Sequence, residues 1–201
     1  MRQLTEYVID AVMEQAARWW HTGLQVQISV NVSARDLLDS ALPDQLEAGL
    51  SRFRLPPEAI QLEVTERILM GDQAYTHETI KALAALGVPL ALDDFGTGYS
   101  SFIRLQRLAA SEVKIDASFV QRLSSSEDDE RIVRSIVDLV RSLGLRSVAE
   151  GVETEEVALK LTGMGCDMGQ GWLFGRPMAP ADATVWLRER VGVQEAEYVE
   201  I

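Results

Sequence analysis

The sequence has little of several features that mark other protein classes. A single cysteine, Cys166, excludes an internal disulfide and fits a reducing compartment. With His21 and His77 as the only histidines, the thiolate and imidazole donors that zinc prefers are scarce. No apolar run approaches the roughly 20 residues needed to cross a bilayer, and the first residues lack the basic start and apolar stretch of a signal peptide. We therefore expect a cytoplasmic protein with no membrane segment.

Positive charge is also in short supply. Nineteen Lys and Arg residues stand against thirty-one Asp and Glu residues, which gives a net charge of -12. This is the wrong sign for binding a DNA or RNA backbone or an anionic membrane surface. A small anionic ligand stays compatible with this charge, because divalent cations can reverse the field of an acidic site locally.

Length and composition indicate one globular domain. The chain has 201 residues, of which 47% are hydrophobic, enough to bury a core without disulfides or a structural metal. We expect this domain to cover residues 1–193, followed by an acidic tail over 194–201.

Apolar periodicity predicts helices that alternate with short strands. The predicted helices cover 4–20, 35–53, 76–86, 100–108, 129–143, 155–163 and a last segment after Pro180. The predicted strands cover 27–32, 60–64, 88–92, 112–115, 146–149 and 167–170. Such alternation is typical of an α/β fold with parallel strands. Six strands and this length favour an open doubly wound sheet over a (β/α)8 barrel, which needs eight strands and typically about 250 residues.

The position of the polar residues favours the barrel instead. Each predicted strand has at least one polar residue at or just past its carboxyl end: Asn31, Glu63, Asp93, Asp94, Lys114, Glu150 and Gln170. In a barrel these ends converge on one rim, whereas in an open sheet only the strands beside the switch point would meet. The alternative is structural, since an acidic residue after a strand is often a helix N-cap or part of a turn.

Carboxylate clustering predicts a divalent metal site. Several carboxylates in one small site repel one another unless a cation neutralises them. Carboxylate and amide oxygens are hard ligands, suited to Mg²⁺ or Mn²⁺. Two such ions about 3.5 to 4 Å apart are typical of phosphodiester hydrolysis. Lys114 fits that chemistry by orienting water or stabilising phosphate charge, or it forms a structural ion pair with a neighbouring acid.

The glycines after Asp94 do not predict a dinucleotide-binding loop. Gly96-Thr97-Gly98 follows a strand and precedes a predicted helix, but the third glycine of the G-x-G-x-x-G pattern is absent. We expect a mobile loop beside the site. The G-x-S-x-G elbow of esterases and the P-loop pattern are also absent, which argues against serine-hydrolase and kinase mechanisms.

At these residues the sequence resembles the EAL-domain family of cyclic di-GMP phosphodiesterases. The resemblance covers nearly the whole chain, up to Pro177, and rests on a series of motifs in the family's order and similar spacing. They are Asn31-Val32-Ser33-Ala34, Glu63-Val64-Thr65-Glu66, Asp93-Asp94-Phe95-Gly96-Thr97-Gly98-Tyr99-Ser100-Ser101, Lys114-Ile115-Asp116, Glu150-Gly151-Val152-Glu153 and Gln170-Gly171.

The resemblance implies a modified (β/α)8 barrel that hydrolyses cyclic di-GMP to linear pGpG with Mg²⁺ or Mn²⁺. It implies that Glu150, Lys114 and Asp94 are catalytic and that Gln170 and Glu153 lie on the substrate side. It further implies that Glu66 anchors the loop from Asp94 to Ser101. The implied metal ligands are Asn31, Glu63, Asp93 and Asp94.

One departure from the family pattern affects the expected activity. The Glu-Ala-Leu motif is absent from these 201 residues. The resemblance places that motif in an upstream region with two barrel strands, so we expect an incomplete barrel with about six of eight strands. Exposed strand edges favour a homodimer, and an upstream sensory or GGDEF-type domain is compatible with the pattern. We expect weak hydrolysis by this chain alone, and the alternative is a module that binds cyclic di-GMP or a protein partner without cleaving it.

Overall fold

A computed structural model describes residues 2–66, 74–98, 105 and 108–191. The chain divides into two compact units. The first consists of Met1–Glu63, Gln73–Pro89 and Pro177–Ile201, and the second of Val64–Asp72 and Leu90–Arg176. Among the described residues, no helix combines the length and the apolar character needed to span a membrane.

The described part of the first unit contains four α-helices, strand β1 (Ile28–Asn31) and the first four residues of strand β2 (Ile60–Thr65). Strands β1 and β2 pair in parallel, with Ile28 opposite Ile60. The helices are α1 (Arg2–Trp20), α2 (Leu42–Phe53), α3 (Ala74–Ala85) and α7 (Pro180–Val191). A single 3₁₀ turn, Pro57–Ala59, leads into β2.

Helix α1 packs against the rest of the first unit through one apolar face. Met13, Ala16 and Trp19 recur at helical spacing and are buried. The approach of α2 depends on Gly49, because a side chain there would collide with the sulfur of Met13. The indole Nε1 of Trp19 donates to Thr184 Oγ1 at 2.8 Å, which satisfies the polar atom of a buried ring.

The second unit contains four parallel strands with helices between them. The strands are β3 (Leu90–Phe95), β4 (Glu112–Ile115), β5 (Arg146–Ala149) and β6 (Met168–Gly169), each paired with the next. The helices are α4 (Ala117–Val120), α5 (Glu127–Ser142) and α6 (Glu155–Met164).

Local signals in the sequence set the ends of α5 and α6. Ser126 caps α5 by accepting a hydrogen bond from the Asp129 amide, and Thr154 caps α6 by accepting one from the Val157 amide. Acidic residues occupy the first turn of both helices, where the helix dipole favours negative charge. Gly165 ends α6 in the left-handed conformation, with φ of 77°.

The strand order is β1-β2-β3-β4-β5-β6. A doubly wound sheet reverses its strand order at a switch point, whereas a (β/α) barrel keeps chain order. The monotonic order therefore favours the barrel class. The predicted α/β fold with about six parallel strands is confirmed for the part of the chain that the structure describes.

The predicted element boundaries agree with the structure in most places. β4 and β5 coincide with their predictions, while β3 begins and ends later than predicted. The predicted helix over 35–53 is too long, because Asp36 forms a turn by accepting hydrogen bonds from the Ser33 amide and hydroxyl, and α2 begins at Leu42. The predicted helix over 100–108 and the tail over 194–201 lie largely or wholly outside the described residues.

Candidate active site

Asp93 and Asp94 are consecutive residues near the end of β3. In a regular strand consecutive side chains point to opposite faces. Here the pairing of β3 with β4 shifts register between Leu92 and Phe95, and Asp94 adopts a left-handed backbone with φ of 56°. The Asp94 amide donates to Asp93 Oδ1 at 3.0 Å. This irregularity allows both carboxylates to contribute to one cluster.

Glu150 completes that cluster from the next strand but one. It directly follows β5, and its amide donates to the carbonyl of Ile115 at 3.1 Å, which extends the pairing of β4 and β5 by one residue. One carboxylate oxygen from each of Asp93, Asp94 and Glu150 lies within 4.8 Å of the others.

Lys114 lies beside the cluster as a buried cation. Its side chain on β4 is only 3% exposed, and Nζ lies 2.9 Å from Glu150 Oε1 and 3.7 Å from Asp93 Oδ1. A buried ammonium is costly unless it is paired, and these two carboxylates pair it. Lys114 therefore compensates the charge of the Glu150 carboxylate.

The donor set fits a hard divalent cation. The cluster combines one lysine with three carboxyl groups. Carboxylate oxygens are the ligands that Mg²⁺ and Mn²⁺ prefer, and the part of the chain that the structure describes brings no histidine or thiol into this cluster. The chemistry of these donors therefore agrees with the ion expected from the sequence.

Gln170 follows β6, and two backbone hydrogen bonds fix its position. Its amide donates to the carbonyl of Ala149 at 2.8 Å, and its carbonyl accepts from the Val152 amide at 2.9 Å. Its side-chain Oε1 is buried and has no hydrogen-bond partner among the residues that the structure describes. A buried carbonyl oxygen of this kind is an acceptor available to a ligand or water.

Glu66 binds the loop that follows the two aspartates. Its Oε2 accepts hydrogen bonds from the amides of Gly96 at 3.0 Å and Gly98 at 3.2 Å. Glu66 is buried, so these charge-assisted bonds hold the start of the loop firmly. The remainder of the predicted loop, from Tyr99 to Ser101, lies outside the described residues.

Glu153 lies on the segment that continues from Glu150. Its side chain is exposed, and Oε1 accepts a hydrogen bond from Gln121 Nε2 at 3.4 Å. Gly151 permits this segment to approach α4, because a side chain there would lie 2.7 Å from the Cβ of Ala117. The sequence analysis missed Gln121, since an isolated glutamine after a short helix carries no recognisable signal.

Asn31 and Glu63 belong to the first unit. They are opposite one another in the register of β1 and β2, and the Val32 amide donates to the Glu63 carbonyl at 2.9 Å. Glu63 is 3% exposed, whereas Asn31 is exposed. Asn31 is the last residue of β1, and Glu63 lies two residues before the end of β2. The structure thus brings together Asp93, Asp94, Lys114 and Glu150 in one unit and aligns Asn31 with Glu63 in the other.

Known proteins are similar to this chain in sequence and in architecture. The family model described as EAL domain matches residues 1–177. The bifunctional diguanylate cyclase/cyclic di-GMP phosphodiesterase MucR of Pseudomonas aeruginosa is 44% identical over 181 residues, which are 90% of this chain and 26% of MucR. The chain thus spans about a quarter of the length of this relative.

Solved structures agree with the family match. The PaMucR phosphodiesterase in complex with c-di-GMP has a TM-score of 0.86 at 43% identity, over 90% of this chain and 74% of that one. The calcium/cy-diGMP complex of Klebsiella pneumoniae BlrP1 has a TM-score of 0.81 at 31% identity, over 89% of this chain and 45% of BlrP1. Because the EAL domain model matches residues 1–177 and the solved EAL structures share the fold, this chain belongs to the EAL domain family.

Proposed function

We propose that this chain is a metal-dependent phosphodiesterase domain that hydrolyses cyclic di-GMP to linear pGpG in bacterial second-messenger signalling. The observation that carries the proposal is the cluster of Asp93, Asp94 and Glu150 with the buried Lys114. Family membership and the cyclic di-GMP complex of PaMucR support the choice of substrate.

Asn31, Glu63, Asp93 and Asp94 are the residues that would hold two Mg²⁺ or Mn²⁺ ions. All four are oxygen donors at the carboxyl ends of strands, and the BlrP1 complex contains calcium, another hard divalent ion. When bound, such ions polarise the phosphoryl oxygens and lower the pKa of coordinated water. Because divalent ions reverse the field of an acidic site locally, they would help a chain with a net charge of -12 to hold an anionic dinucleotide.

Glu150 and Lys114 provide the proton transfer and charge stabilisation of the proposed reaction. Glu150 accepts a proton from the water whose oxygen attacks phosphorus. The P–O3′ bond breaks, and the 3′ oxygen takes up a proton from solvent and leaves as a hydroxyl group. The ammonium of Lys114, 2.9 Å from Glu150 Oε1, orients that carboxylate and stabilises charge on a phosphate oxygen. Asp94 acts beside them as metal ligand and catalytic carboxylate.

Three further residues would contact the substrate or position the loop beside it. The buried Oε1 of Gln170 is an acceptor for a substrate donor or an ordered water. Glu153 is exposed and available to the nucleotide. Glu66 holds the amides of Gly96 and Gly98, and in this way fixes the loop that follows the catalytic aspartates.

The cellular location, oligomeric state and attached domains are part of the same proposal. We place the chain in the cytoplasm, where the unpaired Cys166 stays reduced, and we expect a homodimer. An attached sensory or GGDEF-type domain is consistent with MucR, of which the aligned residues are only 26%.

Product analysis tests the proposed function. The chain is incubated with cyclic di-GMP and either Mn²⁺ or Mg²⁺, and the nucleotides are separated by chromatography. We expect slow formation of linear pGpG that stops on chelation of the metal and in Asp93→Asn. Cleavage that persists in excess chelator, or that is equal in Asp93→Asn, would contradict the proposal.

A further inference from the structure

A polar pair precedes Asn31 and Glu63 on the same two strands. In the parallel register of β1 and β2, Ser29 is opposite Gln61, just as Asn31 is opposite Glu63. Side chains alternate between the two faces of a strand, so Gln61 and Glu63 share one face of β2. Their Cα atoms lie about 7 Å apart along the strand, which makes the two side chains neighbours on that face.

Gln61 is buried although its side chain is polar. It is 2% exposed, and Ile60 and Leu62 on the other face of β2 are buried as well. The strand therefore has one apolar face and one polar face, and both are shielded from solvent. A glutamine amide in this position needs hydrogen-bond partners for its oxygen and for its nitrogen.

Ser29 satisfies only one end of the Gln61 amide. Its hydroxyl donates to Gln61 Oε1 at 2.8 Å. This bond sets the orientation of the amide group, since the oxygen and the nitrogen diverge from one carbon atom. Gln61 Nε2 is buried and has no hydrogen-bond partner within the part of the chain that the structure describes. Because a buried donor without an acceptor is costly, we expect an ordered water to accept from Nε2.

We propose that Gln61 is a positioning residue for Glu63, an inference that rests on the proposed function of Glu63 as a metal ligand. Gln61 Nε2 donates to one ordered water, and this water donates to a carboxylate oxygen of Glu63. A single water can bridge neighbouring side chains on one strand face, because each hydrogen bond covers about 3 Å. A hydrogen bond of this kind orients a carboxylate for the ion that it binds. The pair of Ser29 and Gln61 thus prepares Glu63 for metal binding.

Isothermal titration of the 201-residue chain with Mn²⁺ tests the role of Gln61. The binding step that Glu63→Gln weakens reports the ion held by Glu63. We expect Gln61→Met, which keeps the length of the side chain but removes the amide, to raise the Kd of that step roughly 10- to 100-fold. The matched control is Gln27→Met, which should leave Kd nearly unchanged. Gln27 precedes β1 in the same unit, and its Nε2 already donates to the Glu58 carbonyl at 2.8 Å.

Ser29 provides a second, independent set of variants. Ser29→Ala removes the hydroxyl that holds Gln61 Oε1 and should raise the same Kd, whereas Ser29→Thr keeps a hydroxyl and should restore the parent value. In the Glu63→Gln background, Gln61→Met should have no further effect on Mn²⁺ binding, because the side chain that it positions is already changed. The Ser29 variants decide the question if Gln61→Met does not fold.

The outcomes separate this inference from the proposed function. A parent chain that binds no Mn²⁺ defeats the proposed function and the inference with it. Binding by the parent together with an unchanged Kd in Gln61→Met and Ser29→Ala defeats the inference alone. A purely structural role predicts that Gln61→Met changes the metal-free Tm but leaves Kd unchanged, and that result would also overturn the inference. Parent-like binding in Glu63→Gln would overturn it too, since Glu63 would then hold no ion.

Discussion

Lys114 Nζ lies 2.9 Å from Glu150 Oε1, in a place where the lysine is 3% exposed. Two neighbouring parallel strands position this pair, since Lys114 lies within β4 and Glu150 directly follows β5. A short buried ion pair between adjacent strands constrains both side chains, and the Lys114 ammonium offsets part of the negative charge of the carboxylate cluster before any metal binds.

Replacing Lys114 by methionine should therefore destabilise the metal-free protein. Removing one partner of a buried ion pair typically costs about 3–5 kcal/mol, because it leaves the other charge uncompensated. Urea unfolding measures this loss, and saturating Mn²⁺ should recover part of it by neutralising the carboxylates. The matched control is Lys160→Met, which removes a partly exposed lysine 3.1 Å from Glu130 and should cost much less. Equal losses of stability in the two variants would show that the buried pair at Lys114 contributes no more than the partly exposed pair at Lys160.

The backbone at Asp94 predicts a difference between two substitutions that both remove the carboxylate. Asn tolerates the left-handed conformation at φ of 56°, whereas a β-branched residue does not. Asp94→Asn should keep nearly the parent stability in metal-free buffer, and Asp94→Val should lose about 1–2 kcal/mol more. Chemical denaturation in the presence of a chelator measures the stabilities of both variants. Equal stabilities would contradict a left-handed backbone at residue 94.

Glu66 offers a test of loop anchoring. Glu66→Gln keeps an acceptor oxygen for the amides of Gly96 and Gly98 but removes the charge, and Glu66→Ala removes both. Hydrogen exchange at these two amides should accelerate modestly in the glutamine variant and strongly in the alanine variant, because charge-assisted bonds are about twice as strong as neutral ones. Unchanged exchange in Glu66→Ala would mean that other contacts hold the loop.

Cys166 predicts a loss of stability at alkaline pH. Burial raises the pKa of its thiol, whose sulfur lies 3.3 Å from the carbonyl oxygen of Met168. Because the folded protein holds this proton more tightly than the unfolded chain, the contribution is complete below the unfolded pKa of about 8.5 and is lost as pH rises through the folded value. Unfolding curves from pH 7 to 10 should fall more steeply for the parent than for Cys166→Ala. Parallel curves would exclude a thiol contribution.

The sequence specifies most of the strand pattern of the second unit because the strands alternate with segments of helical periodicity. β4 and β5 begin and end where predicted. The carboxyl-end rule also identifies every member of the observed cluster, because parallel strands bring these ends to one edge.

Other features depend on contacts that periodicity does not encode. The bulge at Asp93 and Asp94 leaves the hydrophobic pattern of β3 unchanged, so the sequence cannot distinguish it from a regular strand end. The turn at Ser33 and Asp36 replaces the predicted start of α2 because side-chain hydrogen bonds compete with the helix there. Which acid pairs with Lys114 depends on the register between strands, which only the structure gives.

The most direct test of the account is the effect of Mn²⁺ on the melting temperature of the parent, Asp93→Asn and the control Asp138→Asn. Asp138 is an exposed carboxylate of α5 whose side chain is 65% accessible, so its loss should not affect a metal held by the cluster. We predict that Mn²⁺ raises Tm in the parent and in Asp138→Asn, and that the rise disappears in Asp93→Asn. A parent Tm that does not respond to Mn²⁺ or Mg²⁺, or an equal rise in all three proteins, would contradict a metal site at Asp93.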